Sequence, residues 1–325
     1  MKTKLLAVMA TLGMVASASA VKVNNNLSIN GFIDGSYVLE EGASSDSQSL
    51  GVDEVELNFV LNVGNVSGLV AIDSDSHNHG AANVDDNEDF NIEQAHFTYN
   101  VNDSVSVTFG KYGSALGFEG EDPAGLYTYS RAYSDSNGSF NLANVDAAAV
   151  HGLTVAYSAD TFSIAASFEE AAGTDLETND LNLELAFSYT GFAGLTIGGG
   201  YFFDNSDANE TDILNVHVSR QIGKLLIAAE YSEVSSSYND GTSDLDLDGY
   251  LLLADYDVND KLGVAVRLSN HEQANGTTKG ADYEKFTIAP NYAITESLGA
   301  IIEYSDIDDA GTDSELYAVE LTYTF

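Results

Sequence analysis

The sequence has no cysteine, no tryptophan and only two prolines, and it carries just 11 basic residues against 51 acidic ones in 325. Without cysteine there is no disulfide framework and no thiolate metal site. The basic deficit gives a formal charge of −40, which argues against a nucleic-acid partner because a phosphate backbone repels such a chain. Beyond the first twenty residues no stretch approaches the roughly 18 apolar residues of a transmembrane helix. What remains is 44% hydrophobic, with 29 Gly, 18 Tyr and 15 Phe, too apolar for a chain kept disordered by charge. The length suits one large domain or two small ones.

The first twenty residues read as an export signal. Lys2 and Lys4 form a basic start, Leu5 to Val15 an apolar run too short to span a bilayer, and Ala18-Ser19-Ala20 an A-x-A cleavage site. Cleavage predicts a mature domain over 21–325 with charge 9 − 51 = −42. Such an exported chain is either soluble or a membrane barrel.

Along the rest of the sequence the period is two. Phe162, Ile164, Ala166 and Phe168 alternate with Ser163, Ala165, Ser167 and Glu169; Leu181, Leu183, Leu185, Phe187 and Tyr189 alternate with Asn182, Glu184, Ala186 and Ser188. Leu262 to Leu268 and Val319 to Phe325 repeat the pattern, which is that of strands with one apolar and one polar face. About sixteen such segments are predicted, from 27–39 to 314–325. After the first, the connections alternate in length. Short ones include 62–64, 158–160, 221–224 and 258–261. The long ones, rich in Asp, Ser, Asn and Gly, are 40–51, 74–88, 113–145, 171–178, 204–210, 235–244, 272–282 and 307–313. A soluble sandwich has no reason to sort its loops, whereas an outer-membrane barrel puts tight turns on one rim and long loops on the other. Tyr99, Tyr157, Tyr189, Tyr256, Tyr292, Tyr304 and Tyr323 sit near segment ends, where barrels carry aromatic girdles. The fold predicted is an all-β, transmembrane, antiparallel up-and-down barrel of about sixteen strands. Its final strand, ending in Phe325, would engage the barrel assembly machinery.

Strand parity assigns the lumen wall. Asp34, Glu54, Glu56, Asp73, Glu169, Glu184, Glu230, Asp255, Glu303 and Glu320 would face inward, with Arg267 and Lys285 the chief bases. Sixteen strands leave a lumen too wide for side chains to fill. Acid-lined walls concentrate cations, so a cation preference is expected; the alternative is that the acidity serves solubility or a saline habitat. A connection as long as 113–145 is usually functional or disordered, and this one is rich in aromatics. Folded inward, it would bring Glu119, Glu121, Asp122, Tyr127, Tyr129 and Arg131 to a constriction with opposed charges; the competing reading is a surface cap held by tyrosine packing. Lys111 shares parity with Phe109, which points it towards lipid unless a bulge or strand end re-aims it.

At this loop the sequence resembles the OmpL-like beta-barrel porin family (porin-2 type) of Gram-negative bacteria. The likeness runs from Glu93-Gln94-Ala95-His96-Phe97-Thr98-Tyr99 through Thr108-Phe109-Gly110-Lys111-Tyr112 and Leu116-Gly117-Phe118-Glu119 to Tyr129-Ser130-Arg131. The opening Ile29-Asn30-Gly31-Phe32-Ile33-Asp34-Gly35-Ser36-Tyr37 is similar to that family's first strand, while Asp122-Pro123 and the acidic insert depart from its motif. The resemblance implies a passive diffusion channel of the outer membrane and names no solute.

Other motifs are weak. Asp73 to His79 places carboxylates and imidazoles at alternate positions without a closed ligand set. Asp244-Leu245-Asp246-Leu247-Asp248-Gly249 mimics the start of a calcium loop but has Asp255 where the twelfth-position Glu belongs. No nucleophile elbow, phosphate loop or zinc-protease motif occurs, so no enzyme, metal or cofactor is expected. His96 and His217 fall on the polar parity. Partners expected are outer-membrane lipid and lipopolysaccharide, the latter with bridging divalent cations, and, by analogy at this strand number, two further copies in a homotrimer. The chief alternative function is a plugged structural or adhesive barrel with cation-binding acidic loops.

Overall fold

The computed structural model describes residues 20–42, 45–75, 90–119, 123–133, 149–170, 181–204, 209–238, 245–275 and 278–325. The predicted export signal, His77, His79, Glu121, Asp122 and Asp244 lie outside them.

The strands are β1 (Val21–Lys22), β2 (Leu27–Gly42), β3 (Asp46–Val63), β4 (Val66–Asp75), β5 (Asn91–Asn100), β6 (Val105–Tyr112), β7 (Val150–Ser158), β8 (Phe162–Glu170) and β9 (Leu181–Tyr189). Then follow β10 (Leu195–Phe203), β11 (Asn209–Ile222), β12 (Leu225–Tyr238), β13 (Leu245–Asp257), β14 (Leu262–Asn275), β15 (Thr278–Ala293), β16 (Leu298–Asp309) and β17 (Thr312–Thr324). From β2 onward each strand pairs antiparallel with its sequence neighbour, and β17 returns to pair with β2, so sixteen strands close on themselves. β1 only extends the start of β2. The sixteen predicted segments correspond one for one to β2–β17.

Alternation dictates which way each side chain points, and here the usual inside and outside are exchanged. Phe97, Phe109, Val155, Ile164, Leu185, Phe187, Leu252 and Leu321 are exposed on the outer face, while Asn58, Thr98, Thr108, Ser167, Asn215, Ser232, Thr287 and Ser305 are buried inside. A soluble protein could not tolerate that pattern, because contiguous apolar surface of this extent seeks a partner; a lipid environment requires it. Tyr99, Tyr157, Phe162, Tyr256, Tyr292 and Tyr323 ring the rim of short turns. Outward carboxylates on β12, β13, β16 and β17 (Glu233, Asp246, Asp248, Asp306 and Glu315) all lie on the far side of Tyr231, Tyr250, Tyr304 and Tyr317, clear of the apolar belt. Lys111 keeps its outward parity near the other rim and donates its ammonium to the Ile92 carbonyl at 2.7 Å, a snorkelling geometry.

Two expectations need correction. The regions 40–51, 272–282 and 307–313 are not open loops: β2 and β3, β14 and β15, and β16 and β17 continue through them as long hairpins. The last of these ends in a two-residue turn, Ala310-Gly311, with φ of 53° and 82°. Positive φ at both positions is the twist-matched hairpin turn, but its usual signature is Asn-Gly rather than Ala-Gly, so the sequence concealed it. The contrast between rims is therefore made by overhanging strands as well as by loops. Secondly, β13 carries apolar residues on its inner face as well as on the outer one, where Leu252 is exposed. Leu247, Leu251 and Leu253 are buried on the inner face, and Asp246 and Asp248 point out; the span resembling a calcium loop is strand from Leu245 onward, as its alternating leucines predict.

Closure depends on the last residue. Phe325 exchanges both backbone hydrogen bonds with Gly31 at 3.1 Å. A Cβ on Gly31 would strike the Glu56 carbonyl and come within 3.2 Å of the Phe325 ring. Gly31→Val is expected to destabilise the seam by about 1–3 kcal/mol, read as loss of the heat-modifiable gel shift at lower temperature than the parent; an unchanged transition would contradict this account of closure. Ala310→Gly removes left-handed strain at the opposite rim and should raise the same transition, by of order 0.5 kcal/mol after the entropic cost of glycine.

Candidate functional site

A barrel of sixteen strands is too wide for its own side chains to fill, and the segment after β6 occupies the space. Residues 113–119 and 123–133 bond to inward-facing side chains of seven strands. Glu184 of β9 accepts the Ala115 amide at 3.0 Å and the Ser114 hydroxyl. Asn215 of β11 accepts the Gly117 amide at 3.2 Å, and Glu230 of β12 accepts the Phe118 amide at 2.6 Å. Glu303 of β16 accepts the Ser130 amide at 3.0 Å and the Ser130 hydroxyl. Ser269 of β14 donates to the Ala132 carbonyl, and Ser36 of β2 donates to the Tyr129 hydroxyl at 3.3 Å.

Arg267 of β14 is the centre of this array and is 0% exposed. Its Nη1 donates to Glu119 at 2.6 Å and to Thr128 at 2.8 Å; its Nη2 donates to the carbonyls of Ser130 at 2.7 Å and Arg131 at 2.8 Å. One planar fork thus fastens both limbs of the inner segment. Lys285 of β15 adds bonds to the Ser130 hydroxyl at 2.6 Å and the Arg131 carbonyl at 3.1 Å. Glu119 also accepts the Ala132 amide at 3.1 Å, closing the segment on itself.

Packing complements the polar pins. Ala132 and Tyr133 lie in a buried cluster with Ala228, Val234, Leu247, Leu251, Leu253, Ala265 and Ala289, against which Phe118 and Tyr127 pack. Phe118 and Tyr127 stack with centroids 6.3 Å apart. The inward β13 leucines, unexplained by a wet wall, are the seat for these aromatics. At Gly200 of β10 a Cβ would strike the Leu185 carbonyl of β9 and would also meet the Leu116 side chain of the inner segment at 2.7 Å. His96 and His217 do face inward: His96 meets Tyr112 edge-on at 6.3 Å and His217 lies 6.0 Å from Phe118.

Two hollows remain. One, of about 510 Å³, is lined by Asp34, Asp53, Glu54 and Glu320 from β2, β3 and β17, by Tyr129 and Arg131 of the inner segment, and by Lys285. The other, of about 300 Å³, lies at the short-turn rim and is lined by Asn291, Thr295, Ser297, Ile301, Thr322 and Thr324. Pro123 and Leu126 line both, so the turn at Pro123–Gly125 stands between them. A register shift at Asp34/Gly35 opposite Glu54 and Val52 leaves Asp53 as an extra residue. This bulge lets Asp53 and Glu54, adjacent in sequence, line the same hollow.

Set against the sequence, the candidate residues divide. Tyr129, Arg131, Glu54, Glu320 and Lys285 come together around the larger hollow. Glu184, Glu230, Glu303 and Arg267 hold the inner segment instead, with Glu119 and Tyr127 the segment's own contributions to that hold. Glu56 is buried on β3 and accepts from Asn58; Asp255 lies near the turn end of β13. Parity missed Asp53 because bulges leave no reliable sequence mark, and missed Gly200 although the run Gly198-Gly199-Gly200 inside a strand is such a mark. Burial pushes the Tyr129 hydroxyl up to about 12, so it stays neutral between Ser36 and the carboxylates. Among the described residues no group of three or more His, Asp or Glu side chains is placed to hold a metal ion.

Residues 26–319 match the family model described as "Putative beta-barrel porin-2, OmpL-like". No curated protein matches the sequence. Similar solved structures include a loop L8 deletion mutant of OmpT, an outer membrane protein of Vibrio cholerae (TM-score 0.67, 16% identity, 92% of this chain and 99% of that one). An anion-selective porin from Comamonas acidovorans is similar at TM-score 0.65 and 11% identity over 92% of this chain and 99% of its own. The outer membrane channel DcaP of Acinetobacter baumannii is similar at TM-score 0.64 and 15% identity over 94% and 100%. At these identities the likeness is one of fold.

Removing Arg267 leaves Glu119 as a buried carboxylate without its counter-charge, a loss of about 3–5 kcal/mol. Arg267→Ala is expected to expose residues 113–133 to limited proteolysis in a barrel that still shifts on heating. Arg267→Lys should not rescue, because an ammonium cannot present the same fork to acceptors on both limbs. Equal protease resistance in all three proteins would refute the clasp.

Proposed function

Since the chain belongs to the OmpL-like beta-barrel porin-2 family and is thus an outer-membrane channel for solute diffusion in a Gram-negative bacterium, we propose that small hydrophilic solutes pass down their gradients beside the Pro123–Gly125 turn, with a preference for cations. The observation that carries this reading is the pair of hollows meeting at Pro123 and Leu126, the larger lined by Asp34, Asp53, Glu54 and Glu320 against Arg131 and Lys285. Carboxylates held in a low-dielectric wall attract cations, and opposed charges across a narrowing set a transverse field. The fold does not decide the sign, since one similar barrel is named as anion-selective; the carboxylates in the lining support the cationic reading.

A plugged barrel is the second reading, and the complete burial of Arg267, Asn215 and Thr287 favours it. Liposome swelling separates the two, since a plugged barrel admits no sugar. The wider assignment includes export through the leader at 1–20, insertion guided by the strand ending in Phe325, lipopolysaccharide bridged to acidic outer residues by divalent cations, and assembly as a trimer.

In planar bilayers across a KCl gradient, the reversal potential should carry the cationic sign. Asp34→Asn combined with Glu320→Gln moves it towards zero, and Lys285→Met moves it further from zero. The preference should be strong near 0.01 M salt and fade near 1 M, where the screening length falls from about 30 Å to about 3 Å. A potential of anionic sign at low salt overturns the cation preference, and a folded barrel without conductance overturns passage altogether.

A further inference from the structure

The larger hollow has the dimensions of a binding site as well as of a passage. Its 510 Å³ lies within the range of small-molecule sites, and a sphere of that volume is roughly 10 Å across. Acidic groups come from one arc of the wall, β17 through β3; Lys285 and Arg131 come from β15 and the inner segment. Glu320 is 2% exposed and lines the hollow, with its carboxyl set against that of Asp34. Beside it Asp34, 1% exposed, accepts the Thr322 hydroxyl at 2.9 Å. Two buried carboxylates side by side repel each other, and a cationic donor placed between them is what satisfies both best. The Lys285 ammonium is held beside the hollow by the Ser130 hydroxyl and the Arg131 carbonyl.

We propose that this hollow binds small zwitterionic solutes of the amino-acid type, the ammonium end against Glu320 and Asp34 and the carboxylate end towards Arg131 and Lys285. An ammonium and a carboxylate about 5 Å apart, with a charge-assisted hydrogen bond of about 2.8 Å at each end, span about 10 Å. Dicarboxylates lose the first contact and meet repulsion; simple cations lose the second. The inference deepens the channel reading and rests on it for the route by which a solute arrives.

The test uses γ-aminobutyrate as probe, with butylammonium, butyrate and glucose as controls, on the full barrel in planar bilayers. γ-Aminobutyrate should interrupt the open-channel current at a concentration at least tenfold below any control. Glu320→Gln and Arg131→Gln should each weaken that block about tenfold, the loss of one charge-assisted contact. Equal block by butylammonium reduces the site to a cation trap, and block no stronger than that of glucose reduces it to plain water-filled space; either overturns the proposal. Absence of any baseline current is a failure of the channel reading instead. In that case saturation-transfer NMR of γ-aminobutyrate with the detergent-folded barrel, parent against Glu320→Gln, still decides the site: no transfer, or transfer equal in both, overturns it.

Discussion

In hydrocarbon an amide has no water to bond to, and that constraint determines the rest of this molecule. A sheet can satisfy it only by having no edge. The pairing of β17 with β2, completed by Phe325 on Gly31, is therefore the condition under which the other ladders are stable in a membrane. Once the ribbon is closed, alternation makes one face greasy and the other wet, and the exchanged burial of apolar and polar residues follows from geometry.

Closure creates a second problem, an interior wider than its side chains. The chain meets it by turning wall charges onto main chain. Glu184, Glu230 and Glu303 accept amides of the inner segment, and Arg267 donates to its carbonyls. A backbone placed away from water must find such partners. Carboxyl and guanidinium groups on rigid strands are well suited to be those partners, because each makes a strong bond and each is fixed by the ladder beneath it. The β13 leucines complement them by seating Phe118, Tyr127 and Tyr133. Specific polar pins and an apolar seat together define one position for the segment, where either alone would allow it to slide.

Strand number, strand order and the wet or greasy assignment of most faces were legible in the sequence, because period two is a local signal repeated sixteen times. The inner segment's aromatics and its family-like motif were legible too. What the residues could not reveal was non-local. Nothing in Leu245 to Leu253 says that its leucines face a loop more than a hundred residues earlier. Nothing around Asp53 announces a bulge, and Ala310-Gly311 lacks the asparagine that would mark a two-residue turn. Parity also cannot tell a carboxylate that faces water from one that faces an amide, so Glu230 and Glu54 looked alike.

That last distinction bears on the charge a solute would meet. Counting acids along the sequence overstates the field in the lumen, because an acid bonded to backbone amides has its charge met by fixed dipoles, and Glu119 is offset outright by Arg267. The carboxyl groups that line the larger hollow are those of Asp34, Asp53, Glu54 and Glu320. Two of these share a face only because β3 bulges, and the others lie on strands joined at the barrel seam. The seam that satisfies the amides thus also gathers the carboxylates, which ties the electrostatics of the hollow to the closure of the sheet.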